Sequence, residues 1–600
     1  MNKAITEKFE YWLKNASGDA DLANELRKIA KKLEEAKKNN DSEARKKIEA
    51  DLDDRFYCEL EFGTGGLRGI IGAGTNRINH YTVARATQGL ADFVKSRNPS
   101  FNKPGTASVA VAFDSRHKSS YFARVAAQVL AANGIKCHVY KDITPTPMLS
   151  FAVRRLKCSA GIVITASHNP SQYNGYKAYG SDGCQLNLSD SEVIINRINK
   201  LDLFNDVELA DFDEAYEKGL ITGIDSDVID DYFKSVKARS IHRNICGGSG
   251  LKVVFTPLNG AGNKPVRRIF KETGVADVVI VPEQERPDGS FPTCPYPNPE
   301  FKEALELGLK LAKEENADLL IATDPDCDRV GLAVRDESAV GGFALFSGNE
   351  VGAMMLEYIC RERRVSESMP LNPIAVKTIV TTDIAAKIAE KYNVQLFDVL
   401  TGFKFIGEII GNLEKKGEQD RFIFGFEESI GYLAGSYVRD KDAVCASMLI
   451  CEMAAFYRRT GKTLVDAREQ MYKDYGYYYH DTQNIRFEGQ AGAAQMKKIM
   501  DNLRRSCPKQ VGKIEVVGFS DYLNKTVVDF RNPRTGPKST GLPKSNVLKL
   551  VLEDDSVIIV RPSGTEPKLK IYYTSIGLSM SESVNVQKRV KEDFTRLIGV

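Results

Sequence analysis

The sequence predicts an α/β protein of several domains: three similar α/β domains on mixed or parallel sheets, then an α+β domain, set around one central cleft. Three observations lead there. Six hundred residues exceed what one hydrophobic core serves, which sets roughly three to five domains. Apolar strand, helix and apolar strand alternate three times over, the pattern of βαβ units. Each round closes on an apolar strand that runs straight into a polar loop: TASHNP, TDPDCDR and GFEESIG.

Taken in order, residues 1–56 are charge-rich, lack Gly and Pro after Gly18, and space Leu22, Leu26, Ile29 and Leu33 as one helical face. They predict a helical N-terminal extension. Residues 57–216 hold the first round: SVAVAFD, the helix SYFARVAAQVLAANG, KCHVYKD, a helix from Thr146 to Lys157, and SAGIVITASH. Residues 217–343 repeat it with LKVVFTP, VADVVIVP, a helix over 300–315 and DLLIATD. Residues 344–460 repeat it again with IAVKTIV, a helix over 383–391, QLFDVL, a helix over 404–415 and RFIFGFEES. Residues 461–600 are less regular, with strands at KIEVVGF, NVLKLVLED, SVIIVRP and KLKIYYTS and a closing helix over 581–597. Arg531–Asn546 has the Pro, Gly and Ser density of an exposed loop or hairpin insertion.

Composition excludes several classes. Apolar residues make up 42% and charged residues 27%, the balance of a folded globular chain. The charge of +3, from 83 basic and 80 acidic residues, is too even for coating nucleic acid or an anionic membrane. Eleven scattered cysteines without Cys-x-x-Cys pairs read as reduced, mostly buried thiols. Met1–Asn15 has no secretory pattern, and the apolar stretch Ala443–Tyr457 is interrupted by Glu452 and falls short of the roughly 20 residues a membrane span needs. It predicts a core helix in a cytoplasmic protein.

Ligands of parallel α/β sheets gather beyond the carboxyl ends of the strands, so the loops there carry the chemistry. In Thr165-Ala166-Ser167-His168-Asn169-Pro170 a hydroxyl emerges from a strand beside an imidazole, with Lys177 close behind in sequence. The alternative is a serine in a turn that Asn-Pro ends. Asp324-Pro325-Asp326-Cys327-Asp328-Arg329 places three carboxylates at alternate positions of a tight loop, a donor set for Mg²⁺ with substrate phosphate completing the shell. An EF-hand fails, because Arg329 and Arg335 stand where Gly and Glu belong. A haloacid-dehalogenase-type nucleophile is disfavoured by Asp328-Arg329, and a solvated acidic turn is the remaining alternative.

Arg561-Pro562-Ser563-Gly564-Thr565 joins a guanidinium, two hydroxyls and a glycine, donors that suit one phosphate, although an ordinary Gly-containing turn would look similar. Gly425-Phe426-Glu427-Glu428-Ser429 offers acceptors for sugar hydroxyls. Glu427 and Ser429 are preferred there, because alternate residues of an extended loop face one side. Gly63-Thr64-Gly65-Gly66-Leu67-Arg68 is a loop through which backbone can approach a ligand, and Arg68 stands where a dinucleotide fingerprint needs Gly.

In this order the four loops resemble the α-D-phosphohexomutase family, from about Phe56 to the C-terminus, and Gly-Phe-Glu-Glu-Ser with Thr401-Gly402-Phe403-Lys404 resembles its phosphoglucomutase branch. The N-terminal extension resembles the long phosphoglucomutase/phosphopentomutase subgroup. No His follows Glu-Glu-Ser, which departs from the phosphomannomutase pattern. The resemblance implies a phosphoryl group on Ser167, Mg²⁺ held by Asp324, Asp326, Asp328 and that phosphate, and a glucose 1,6-bisphosphate intermediate between glucose 1-phosphate and glucose 6-phosphate. It implies that Arg561, Ser563, Gly564 and Thr565 hold the substrate's phosphate and that Glu427 and Ser429 hold the sugar. Arg68, His168 and Lys177 are then the candidates for proton transfer and phosphate contact, and Arg329, Thr401, Gly402, Lys404, Arg439 and Lys441 for further anion or sugar contacts. Small phosphosugars are the expected partners, with no nucleic acid or membrane. A phosphopentomutase, a phosphomannomutase or a glucose 1,6-bisphosphate synthase would use the same loops. A sugar-phosphate sensor is disfavoured, since it needs no activated nucleophile.

Overall fold

The computed structural model describes residues 2–63, 65–97, 106–487, 489–563 and 568–600. The chain forms two compact units: Met1–Phe346 with Gly407–Gln419 and Gly431–Phe456, and Ser347–Ile406 with Asp420–Ile430 and Tyr457–Val600.

The first unit begins with the expected helices, Lys3–Asn15, Ala20–Lys38 and Ser42–Phe56. Each starts at a side-chain cap, Asn2, Asp19 and Asp41 respectively, that accepts from first-turn N–H groups. Their apolar faces, including Leu22, Leu26 and Leu33, close on Trp12, Phe9 and Phe56 in a core of their own that also takes in Ala73 and Tyr81.

The first sheet runs, neighbour to neighbour, Gly66–Ile70, Tyr173–Gly180, Ala160–Ile164, Ser108–Phe113, Lys136–Val139, Ile221–Gly223. The last four strands are parallel and the first two pair antiparallel at its edge. Ala160–Ile164 is buried along its whole length, as a central strand with both faces covered requires. The second sheet has the same plan: Phe343–Phe346 and Val330–Arg335 antiparallel, then Leu319–Thr323, Lys252–Thr256 and Asp277–Ile280 parallel.

In the second unit Gln395–Val399, Ile374–Thr378 and Phe422–Glu427 lie parallel. The C-terminal part is an antiparallel sheet that includes Tyr477–Arg486, Lys568–Gly577, Val557–Pro562, Leu548–Leu552 and Ile514–Asp521. Along Leu548–Leu552 buried and half-buried residues alternate, and the buried set packs with Val590 and Phe594 of the helix Met580–Leu597. Arg531–Asn546 is largely exposed, as its composition predicts.

Among the described residues no helix is long and apolar enough to cross a membrane. Ala443–Arg459 is the predicted core helix, buried through Ala455. All eleven cysteines are free, and all but Cys58 and Cys507 are buried.

The same backbone device recurs at the carboxyl end of a strand in all three α/β repeats. After Ile164, Thr323 and Glu427 the chain reverses towards the strands that begin at Tyr173, Val330 and Gly431. Each reversal contains a non-glycine residue with left-handed backbone: Ser167 (φ 52), Cys327 (φ 53) and Ile430 (φ 53). Such residues carry strain and persist where surrounding structure fixes them.

Candidate active site

Ser167 is buried at the first reversal. Its N–H donates to Thr165 Oγ1 at 2.8 Å, its hydroxyl donates to Asp324 Oδ2 at 2.7 Å, and Oγ lies 3.1 Å from His168 Nδ1. The turn is seated by a close approach that only glycine permits, since a Cβ on Gly175 would lie 2.3 Å from the Thr165 carbonyl oxygen. Burial holds the His168 imidazole well below its usual range, and the cations Arg329, Arg68, Arg116 and Lys177 push the same way. The imidazole is therefore neutral, and its Nδ1 lies within hydrogen-bond reach of the serine.

Asp324, Asp326 and Asp328 are all buried, and one carboxylate oxygen from each lies within 4.8 Å of the others. Two of their oxygens, Asp326 Oδ1 and Asp328 Oδ1, have no hydrogen-bond partner among the described residues. Burial, then Asp326 and Asp328, push the Asp324 carboxyl well above the usual carboxylate range. Unsatisfied hard oxygens under mutual repulsion are what a divalent cation relieves, so this donor set fits a metal ion.

Cations surround the carboxylates. Lys177 Nζ reaches Asp326 Oδ2 at 2.7 Å and Asp328 Oδ2 at 3.3 Å, and Lys441 Nζ reaches Asp328 Oδ2 at 3.2 Å and Asp440 Oδ1 at 3.0 Å. Burial alone would lower the Lys177 ammonium, but Asp326 and Asp328 outweigh it and raise it, so Lys177 stands as a cation. Arg329 is half-buried, with its Nε 3.8 Å from Asp328 Oδ1. Arg68 extends from Gly66–Ile70 to Asn169 Oδ1 at 3.2 Å, beside the serine turn. Arg439 differs from expectation. It is fully buried and committed to Glu414 at 2.8 Å and to the carbonyls of Ser436 and Val438, so it presents no guanidinium to a ligand here.

In the second unit Glu427 is buried at the end of its strand and accepts from the Gly402 N–H at 2.9 Å, which ties Thr401-Gly402 to the Glu-Glu-Ser turn. Glu428-Ser429-Ile430 forms a turn rather than the extended run expected, so strand alternation stops at Glu427. Ser429 is half-buried, and Lys404 is buried with its Nζ over the Phe405 ring. Arg561 and Ser563 are half-buried at the end of Val557–Pro562, where the Ser563 N–H donates to the Lys568 carbonyl at 2.8 Å. Tyr572 has its hydroxyl raised by burial and by Glu428, while a hydrogen bond with Arg561 works against both, so the two loops share one neighbourhood. Gly564 and Thr565 lie outside the described residues.

Two supporting residues escaped the sequence reading. Arg116 is buried, paired with Asp114 at 3.4 Å, and donates to the carbonyls of Ser167 at 2.5 Å, Pro170 at 2.8 Å, Tyr173 at 3.0 Å and Asn169. Thr146 opens its helix by donating its N–H to the Asp326 carbonyl at 2.9 Å and its hydroxyl to Asp326 Oδ2 at 2.8 Å. Asp114-Ser115-Arg116 also follows an apolar strand into a polar loop, the signal that singled out the other loops.

A buried hydroxyl between a neutral imidazole and a carboxylate cluster, ringed by cations, suits phosphoryl transfer with a metal ion. Comparison with known proteins agrees. Domains I, II and III (alpha/beta/alpha) and the C-terminal domain of phosphoglucomutase/phosphomannomutase match residues 59–204, 230–339, 347–475 and 484–575. The chain is 36% identical over 533 residues to a phosphoglucomutase of Staphylococcus haemolyticus, covering 88% of this chain and 92% of that one. It is 37% identical over 532 residues to a phosphoglucomutase of Staphylococcus aureus, covering 87% and 91%. The fold matches a putative phosphomannomutase from Thermus thermophilus with TM-score 0.65 at 22% identity, covering 90% of this chain and 100% of that one. It also matches the open form of the phosphoglucomutase parafusin from Paramecium with TM-score 0.67 at 18% identity, covering 91% and 96%. The chain thus belongs to the phosphoglucomutase/phosphomannomutase family, the α-D-phosphohexomutases, and is an isomerase of the mutase type.

Proposed function

We propose that the protein interconverts glucose 1-phosphate and glucose 6-phosphate through a phosphoryl group on Ser167 and a glucose 1,6-bisphosphate intermediate. The observation that carries this reading is the Ser167 hydroxyl, 2.7 Å from Asp324 and 3.1 Å from His168. Relatives named phosphoglucomutase at 36% and 37% identity support the glucose assignment. Arg561, Ser563 and Thr565 hold the phosphate the substrate already bears, while Glu427 and Ser429 hold ring hydroxyls and direct the free hydroxyl at phosphoserine. The bisphosphate turns over and its other phosphate returns to Ser167. In that return a new P–O bond forms at Ser167 Oγ as the sugar P–O bond breaks, and the serine proton passes by way of His168 Nδ1 to the sugar oxygen that leaves. Lys177 and Arg68 offset the charge of the transferring group, and Lys177 does so as a cation rather than as a base.

Mg²⁺ is the metal we assign to Asp324, Asp326, Asp328 and a phosphoserine oxygen. When bound it neutralises charge on the transferring phosphoryl group. We place the enzyme in the cytoplasm, where its eleven free thiols stay reduced. We assign its functional division to 57–216, 217–343, 344–460 and 461–600.

Ser167→Ala tests the reading. The wild-type chain should carry phosphate on the peptide containing Ser167 and turn over glucose 1-phosphate with its bisphosphate activator faster than ribose 1-phosphate. The variant should do neither. Full mutase activity in Ser167→Ala would overturn the assignment, and faster turnover of ribose 1-phosphate would move the substrate to a pentose.

A further inference from the structure

The N-terminal helices grip two loops, and both loops end on the Ser167 turn. The first, residues 72–77, continues the strand that carries Arg68. Its Ala73 is fully buried in the core of the extension, donates its N–H to Glu25 Oε2 at 3.0 Å and accepts from Arg55 Nη1 at 3.0 Å. Glu25 and Arg55 are themselves paired at 2.7 Å. The Asn76 N–H donates to the Arg55 carbonyl at 2.9 Å, and its side-chain amide donates to the Asp54 carbonyl at 2.9 Å. The approach is tight: a Cβ on Gly74, at φ 133, would lie 2.6 Å from the Arg55 carbonyl oxygen. At the near end of this loop the Ile71 N–H donates to the Gln172 carbonyl at 2.9 Å, inside the reversal that holds Ser167.

The second loop precedes the helix Ser119–Ala132. Asp19 accepts from the Tyr121 hydroxyl at 3.1 Å, and Asp21 pairs with Lys118, two residues from the Arg116 that grips the Ser167 turn. The Asp21 pair is exposed and contributes little on its own. The buried Ala73 and its Glu25 and Arg55 contacts form the stronger tether.

We propose that the N-terminal helices brace the active site, with Glu25 a positioning residue that fixes the Arg68 strand and, through Ile71, the Ser167 turn. The inference rests on the roles given above to Ser167 and Arg68.

The test uses the full chain with Glu25→Ala and Glu25→Gln, reading hydrogen exchange in peptides covering 66–77 and 165–177 together with steady-state kinetics on glucose 1-phosphate. Glu25→Ala should speed exchange in both peptides and lower kcat about tenfold with KM within about twofold, the scale expected of a misplaced reacting group. Glu25→Gln keeps an acceptor for the Ala73 N–H and should recover most of both. Faster exchange confined to 66–77, with 165–177 and kcat at wild-type values, overturns the proposal. Asn76→Ala loosens the same loop without touching the half-buried Glu25–Arg55 pair and must also speed exchange at 165–177; no change there overturns the proposal even if Glu25→Ala fails to fold. The exchange arm needs no turnover, so it separates a failed brace from a failed substrate assignment.

Discussion

Replacing Asp324 by asparagine is predicted to stabilise the metal-free protein while abolishing its response to Mg²⁺. Asparagine keeps Oδ1 as acceptor for the N–H groups of Asp328 at 3.1 Å and Arg329 at 3.0 Å, and its amide can donate to Ser167 Oγ where the carboxylate accepts at 2.7 Å. The loss is one negative charge from three whose oxygens lie within 4.8 Å. At an effective dielectric near 20, two unit charges so spaced repel by about 3.5 kcal/mol. Lys177, Lys441 and Arg329 offset much of this, which leaves a net gain of about 1–3 kcal/mol for the variant. The pH dependence has a definite sign. Burial, Asp326 and Asp328 raise the Asp324 carboxyl, so its proton binds the folded protein more tightly than the unfolded chain. That stabilisation is present at low pH and is lost as pH rises through the raised value. Without metal, the advantage of Asp324→Asn should therefore be wider at about pH 7 than at about pH 4, the range in which an unfolded carboxylate titrates. Urea melts at both values, in chelator and in excess Mg²⁺, measure the four combinations, since a ligand that binds only the folded state stabilises it by mass action. A variant less stable than wild type in chelator, or stabilised by Mg²⁺ as much as wild type, would refute the reasoning.

Arg561→Ala should weaken glucose 1-phosphate and glucose 6-phosphate alike by one to two decades, the loss of a charge-assisted bidentate contact of about 1.5–3 kcal/mol. Separate binding titrations check it, and an effect on one substrate alone would contradict a shared clamp. His480 bonds Thr574 Oγ1 through Nδ1 at 3.0 Å, has a buried Nε2 without a hydrogen-bond partner among the described residues, and is lowered to about 4, chiefly by burial. The folded protein resists protonating it, so about 3 kcal/mol of stability should be lost as pH falls from about 6.5 to about 4, and urea melts of His480→Asn should lack that window. Arg116→Lys keeps a charge beside Asp114 but cannot reproduce contacts to four carbonyls. It should lose about 2 kcal/mol in melts and lower phosphate incorporation at Ser167.

The strands that read most directly from sequence include those buried on both faces. VAVAF, IVI, VVF, LLIA and FIFGF leave few polar positions to confuse the pattern, and their polar successors mark the site loops directly. Gly66–Ile70 and Tyr173–Gly180 were illegible for a physical reason. They pair so closely that a Cβ on Gly66 would lie 1.9 Å from the Tyr176 carbonyl oxygen, and a run of glycines erases alternation. Tyr477–Arg486 forms the edge of its sheet with mostly half-exposed polar residues and carries no apolar signal either. Among site residues, Ser167 and the three aspartates stand out by spacing, and the chain indeed gathers them. The fate of a lone cation is set by what folds against it. Arg439 and Arg116 are both arginines in polar loops, yet one is engaged by Glu414 and the other holds the carbonyls of the Ser167 turn.

The left-handed residues at Ser167, Cys327 and Ile430 bear on how such a protein diversifies. One reversal, used in three repeats, presents a hydroxyl in the first, hard oxygen donors in the second and a buried carboxylate in the third, with the change made in side chains while the backbone path is retained. Duplication of a single repeat would supply the geometry in advance, and each copy could then acquire its own chemistry without rebuilding its sheet. The same shared path limits repair: a substitution that removes the left-handed bend displaces every donor on that loop together, so the loop fails as a unit rather than residue by residue.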